Sequence, residues 1–137
     1  HELDYITWIF GELKLKFVVN NKISNLKIDT DDNLLIVGST KNVKQFIVRL
    51  NYYSKIESRY ISINGDKINL KADLLDKKII FIKKNKQHLK SWNEKKFSKT
   101  FEYQIDSIIK NKNIKLPNLE FGLKVQKLIK KIQELRS

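Results

Sequence analysis

The sequence predicts an α+β fold: a mostly antiparallel (mixed) open sheet covered on one face by helices. Three observations predict it. Apolar residues recur at helical spacing at both ends of the chain, they alternate or run continuously through its middle, and turn-forming residues interrupt the middle at short intervals. Helix-like and strand-like segments are thus segregated, which favours an antiparallel sheet backed by helices over alternating βα units. The 137 residues suit one domain, 1–137, and are enough to bury a core.

In order, HELDYITWIF sets Leu3, Ile6, Ile9 and Phe10 at helical spacing, and Gly11 is a suitable stop. From Glu12 to Val19, Leu13, Leu15 and Phe17 alternate with charged residues, as in a strand with one wet face. The polar stretch Asn20–Asn33 contains Ile23, Leu26 and Ile28, which are expected to cover part of the core or to form a short edge strand. Leu34–Gly38 and Val43–Tyr53 read as strands joined through a hairpin at Ser39–Asn42. Ser58–Ile63 and Lys67–Lys71 flank Asn64-Gly65-Asp66, whose Asn-Gly pair tolerates the positive φ of a tight turn. Lys77–Lys83 is the last expected strand, its continuous Ile79–Ile82 run suggesting burial on both faces or a covered edge. A basic linker, Lys83–Lys90, follows, and in it His88 reads as a solvated residue. Phe97, Phe101, Ile105, Ile108 and Ile109 then form one stripe that predicts a buried helix face. Asn111–Asn113 breaks that helix, Pro117 stands where another begins, and Phe121, Val125, Leu128, Ile132 and Leu135 predict a second buried face.

Composition narrows the function. Cysteine is absent, which excludes disulfides, thiolate metal sites and cysteine nucleophiles and agrees with a cytoplasmic location. No apolar run spans a bilayer and no signal peptide is visible, so no membrane partner is expected. The net charge of +13 invites a nucleic-acid reading. Only Arg49, Arg59 and Arg136 among the 28 basic residues are arginine, the side chain best suited to bidentate phosphate and guanine contacts. The lysines are spread along the chain, and with asparagine and isoleucine they are the residues that AT-rich codons favour. The charge therefore reads first as solvated surface and argues against a nucleic-acid partner. A basic binding module for nucleic acid or another polyanion is the alternative.

Few residues offer chemistry. His1 and His88 are the two histidines. Asp4 follows His1 by three residues, which puts both on one helix face. An imidazole can relay a proton from a substrate hydroxyl, but the spacing by itself favours an ordinary pair at a helix start. Gly11, Gly38, Gly65 and Gly122 are too far apart to make a phosphate-binding loop. Asp29, Asp31 and Asp32 lack the central glycine and closing glutamate of a calcium loop, and no metal site is expected. Tyr52, Tyr53 and Tyr60 among Arg49, Lys55 and Arg59 are explained equally well by base stacking and by alternation in half-buried strands.

Five segments in order nevertheless resemble the C-terminal domain of the Gfo/Idh/MocA (glucose–fructose oxidoreductase / inositol dehydrogenase) family. They are His1-Glu2-Leu3-Asp4 running through Trp8 to Phe10-Gly11-Glu12; Ile23 to Asn33, similar to members linked to surface-polysaccharide sugars; Arg59, Ile63, Gly65 and Asp73; Phe101 to Asn111; and Pro117 with the helix to Ser137. The sequence departs from that pattern at Ser39–Asn42, where a glycine is usual, and at Ser54–Ser58 before Arg59. The resemblance implies an NAD(P)-dependent oxidoreductase acting on a sugar, nucleotide-sugar or polyol. It implies that NAD or NADP is bound mainly by an N-terminal Rossmann domain absent from these residues. His1 would be the catalytic proton relay and Asp4 a substrate-positioning or structural residue. The chain, which starts at His1 with no initiator methionine, is then expected to be part of something longer and inactive by itself. A homo-oligomer, dimer or tetramer, is expected through the sheet face.

Overall fold

The structure, a computed structural model, describes residues 1–93, 98–110 and 117–135. Its elements run α1 (Glu2–Phe10), β1 (Lys14–Asn21), β2 (Asn33–Ser39), β3 (Phe46–Asn51), β4 (Tyr60–Gly65), β5 (Ile68–Asp73), β6 (Lys78–Lys83), β7 (Lys86–Ser91), α2 (Ser98–Ile109) and α3 (Leu119–Glu134). The α+β class is as predicted. Every strand pairing is antiparallel, in a sheet of order β1-β2-β3 and a sheet of order β4-β5-β6-β7. The chain divides into two compact units, His1–Lys55 with Lys115–Ser137, and Ile56–Ile114.

The first unit is built on α1, β1–β3 and α3. Register places Val18, Ile36 and Val48 side by side, so all three project from one face of the sheet. That face carries the core of Leu3, Leu13, Ile36, Val48 and Ile132, against which Ile6, Leu34, Phe46, Leu50 and Leu128 pack. Ile36 is 0% exposed. α1 brings Leu3 and Ile6 to this core and stops at Gly11, whose φ of 87° suits a residue without Cβ. The Gly11 N–H donates to the Thr7 carbonyl at 2.9 Å. α3 starts at Leu119, capped by Asn118, whose Oδ1 accepts from the Phe121 N–H at 2.9 Å. Val125 and Ile132 are its buried residues, whereas Leu135 lies beyond its end and is exposed. A helix end loses its 3.6-residue geometry, so the stripe fails there. At Gly38 a Cβ would meet the Lys14 carbonyl and the Phe46 ring, so close backbone approach requires glycine.

The loop between β1 and β2 departs from expectation. No strand forms from Lys22 to Asp32, and Ile23 and Leu26 are exposed instead of covering the core. β2 and β3 pair as the expected hairpin, but β3 starts at Phe46 instead of Val43 and ends at Asn51 instead of Tyr53, and the longer connection is held by Thr40. Its N–H donates to the Val43 carbonyl, and its Oγ1 accepts from the Asn42 and Val43 amides at 3.1 and 3.0 Å.

In the second unit, Ile63, Leu70, Phe81 and His88 lie in register across β4–β7, and Ile61, Ala72, Ile79 and Lys90 form the neighbouring row. The β4–β5 turn falls on Asp66–Lys67, between Gly65 and Ile68. Gly65 does not take positive φ, so the Asn-Gly pair is not the turn centre. The β5–β6 turn is closed by Asp73, whose Oδ1 accepts from the Leu75 and Asp76 amides at 3.1 and 2.9 Å. The continuous Ile79–Ile82 run belongs to an inner strand, β6, which is paired on both edges.

Two expectations are overturned here. Lys86–Ser91 is a strand, not a linker, because Lys86, His88 and Lys90 alternate with Gln87, Leu89 and Ser91 and pair with β6. The stripe of α2 is not buried: Phe101, Ile105, Ile108 and Ile109 are all exposed, Ile109 at 74%. The periodicity makes the helix, but it does not by itself bury that side. Phe97 and Asn111–Asn113 lie outside the described residues.

Candidate functional site

The residues singled out for chemistry sit on α1. Leu3 and Ile6 turn one side of this helix to the core, which leaves the first-turn residues His1 and Asp4 facing out. His1 is the N-cap residue, its side chain makes no capping hydrogen bond, and it is 96% exposed. Asp4 is exposed as well, and among the described residues no hydrogen bond or ion pair joins it to His1. Trp8, one turn further along the same side, is also exposed. The helix therefore presents an imidazole, a carboxylate and an indole in sequence along one exposed stripe. Such a stripe can take a proton from a hydroxyl and offer an aromatic face, but it does not enclose a ligand.

Cofactor and metal chemistry find less support. A dinucleotide cradle needs a parallel βαβ unit with a glycine-rich turn into a helix N-terminus. Every strand pair among the described residues is antiparallel, and the four glycines are dispersed. These residues do not fit NAD or NADP as a binding site of their own. Among the described residues no three His, Asp or Glu side chains converge as a metal site would require.

Two polar constellations escape the sequence reading. Asp32, 1% exposed, fastens the β1–β2 loop. Its carboxylate accepts from the Ile23 amide at 2.9 Å, the Ser24 amide at 3.0 Å and the Ser24 hydroxyl. The Ser24 hydroxyl bond, with those amides and the Lys22 charge, holds the Asp32 carboxyl below its ordinary range against the opposing effect of burial. On the sheet face opposite the core, Asn21, Asn33 and Asn51 stand in one cross-strand row. The Asn33 Nδ2 donates to the Asn21 Oδ1 at 3.0 Å, and the Tyr53 hydroxyl donates to the Asn33 Oδ1 at 3.2 Å. The same face carries Phe17, Val37 and Ile47 in register, with Phe17 and Ile47 exposed. The run of acidic residues at Asp29–Asp32 is the only signal for the latch, and nothing in it marks Asp32 out.

No protein-family model matches the chain, and no curated protein matches it significantly. Solved structures do. UDP-N-acetylglucosamine 3-dehydrogenase GnnA from Acidithiobacillus ferrooxidans superposes on 99% of this chain with a TM-score of 0.70 and 12% identity, over 43% of its own length. A dehydrogenase, MviM, from Clostridium difficile superposes on 96% of the chain with a TM-score of 0.71 and 16% identity, over 44% of its own length. The chain thus spans less than half the length of the structures it matches. Over nearly all its residues, this chain has the fold of one part of the Gfo/Idh/MocA-type dehydrogenases.

Proposed function

We propose that the chain is the C-terminal, substrate-side domain of an NAD(P)-dependent oxidoreductase acting on a sugar, nucleotide-sugar or polyol, with surface-polysaccharide sugar metabolism as one setting. The observation that carries this reading is the superposition of 96–99% of the chain on dehydrogenases of which it makes up 43–44%. One of these neighbours is described as acting on UDP-N-acetylglucosamine. The nicotinamide would accept or supply hydride and would be held mainly by a dinucleotide-binding domain outside these residues, since every strand pair among the described residues is antiparallel.

What this chain would contribute is proton transfer. His1, whose exposed side chain makes no capping hydrogen bond at the start of α1, would take the proton of the reacting hydroxyl. Asp4, one turn on, would orient the substrate through its carboxylate. The apolar sheet face of Phe17, Val37 and Ile47 would serve the expected homo-oligomer, dimer or tetramer.

The test uses the dehydrogenase containing this domain and nucleotide-sugar substrates, followed by nicotinamide absorbance. His1→Asn is expected to lower kcat by about 10²–10⁴-fold and to remove the low-pH limb of its pH profile. Asp4→Asn is expected to raise KM more than it lowers kcat. The 137 residues in isolation are expected to turn over nothing. Hydride transfer by the isolated chain, or an unchanged pH profile in His1→Asn, would refute these roles.

A further inference from the structure

The β6–β7 hairpin gathers charge in a way that the dispersed lysines of the sequence conceal. From Lys77 to Lys90 there are six lysines, one histidine and no acidic residue. Lys78 is engaged by Asp76. By contrast, Lys83, Lys84, Lys86 and Lys90 have no acidic partner among the described residues. β7 is an edge strand, and all six of its residues are exposed.

Two local choices work against the hairpin. Its turn residues, Lys84 and Asn85, have φ of 49° and 57°, a conformation that glycine or asparagine adopts far more cheaply than lysine. Lys83 and Lys86 stand directly opposite each other across the hairpin mouth, where like charges repel. Lysines on an edge strand do discourage unwanted strand pairing. That accounts for Lys86 and Lys90, but not for a lysine in a strained turn or for two facing across the mouth. A bound anion would relieve the repulsion between the facing lysines.

The arrangement is linear. Lys86, His88 and Lys90 alternate on one side of β7, so neighbours are about 6.7 Å apart, comparable to successive phosphates of an extended single strand. Between the two lysines the His88 ring lies on Phe81, with centroids 5.2 Å apart and planes inclined by 16°, which supplies a flat aromatic surface. Lysine acts as a point charge and does not read base edges as arginine does. We infer that the β6–β7 hairpin is a binding track for single-stranded nucleic acid, sequence-independent, with Lys83, Lys84, Lys86 and Lys90 on the phosphates and His88 beneath a base.

The test is fluorescence anisotropy of labelled oligo(dT) and oligo(rU) with the 137-residue chain across a salt series. Four lysine–phosphate contacts predict a log–log salt slope of about −3. Replacing the four lysines by glutamine should weaken binding at least about tenfold at low salt, and replacing them by arginine should preserve it. Circular dichroism reports whether each variant folds, and the Lys84→Gln/Lys86→Gln double variant serves if the fourfold variant does not. Three results would overturn the inference: no binding at low salt, binding that the glutamine variants leave unchanged, or binding to anionic phospholipid vesicles without binding to oligonucleotides. The site is independent of the dehydrogenase reading, and loss of oligonucleotide binding leaves the His1 experiment unaffected.

Discussion

Asp32 keeps a carboxylate at a position 1% exposed because every part of the residue has a partner. Its oxygens receive the Ile23 and Ser24 donors, its N–H donates to the Asn21 carbonyl, and its carbonyl accepts from the Tyr52 amide. One residue thereby joins the ends of β1 and β3 to the intervening loop. Asp32→Asn preserves size but turns an NH₂ group toward donors, leaving at least one of them unsatisfied. The expected result is a lower urea midpoint and faster hydrogen exchange at the Ile23 and Ser24 amides. Unchanged protection at those two amides would show that the latch does not hold the loop. The sequence displays Asp29, Asp31 and Asp32 as equals, because the donors that distinguish Asp32 come from eight and nine positions earlier. His1 differs in kind. Its prominence comes from resemblance, and its side chain at the start of α1 is exposed and makes no capping hydrogen bond.

Elements were legible where apolar residues repeat at a regular spacing and obscure where they do not. β2 and β3 carry Ile36 and Val48 into the core, and the apolar alternation that marks them follows from that burial. β7 buries no residue, so its Lys-Gln-His-Leu-Lys-Ser sequence has no apolar face to announce a strand. It exists because β6 offers it an edge and Lys84–Asn85 can make the reversal. α2 shows the converse, since its stripe correctly announces a helix and says nothing of what lies against it. The β6–β7 turn supplies a prediction at this scale. Changing Lys84-Asn85 to Asn-Gly gives both positions residues suited to positive φ. The double variant is expected to gain about 1 kcal/mol in stability, measured by urea unfolding. The same change removes a lysine, so its oligonucleotide affinity should fall as its stability rises. A variant less stable than the parent would contradict the turn geometry.

Across the whole molecule, acid acts on both units through the same kind of device. Asp32 in the first unit and Asp73 in the second are each held below the ordinary carboxylate value near 3.8. For Asp73 the main cause is the Asp76 amide, joined by the Leu75 amide and the charges of Lys78 and Lys71. A carboxyl with a lowered folded value binds protons more readily in the unfolded chain. Its stabilisation is therefore complete above the unfolded value and is lost as pH falls through the folded one. Lys78 behaves oppositely. The Asp76 carboxylate raises its value, so its contribution persists below the unfolded lysine value and disappears as pH rises through the folded one. A plateau of stability is expected between these limits. The acid limb should be the steeper one, because protonating carboxylates adds positive charge to a chain already at +13. Urea midpoints measured against pH should fall as pH drops below about 4. Added salt should soften that fall by screening the repulsion but should not abolish it, because the hydrogen bonds to Asp32 and Asp73 are short-range. In Asp32→Asn the acid limb should flatten for the first unit, which tryptophan fluorescence from Trp8 can follow after Trp92→Phe. An acid limb identical to the parent's would show that Asp32 does not set the pH dependence of that unit.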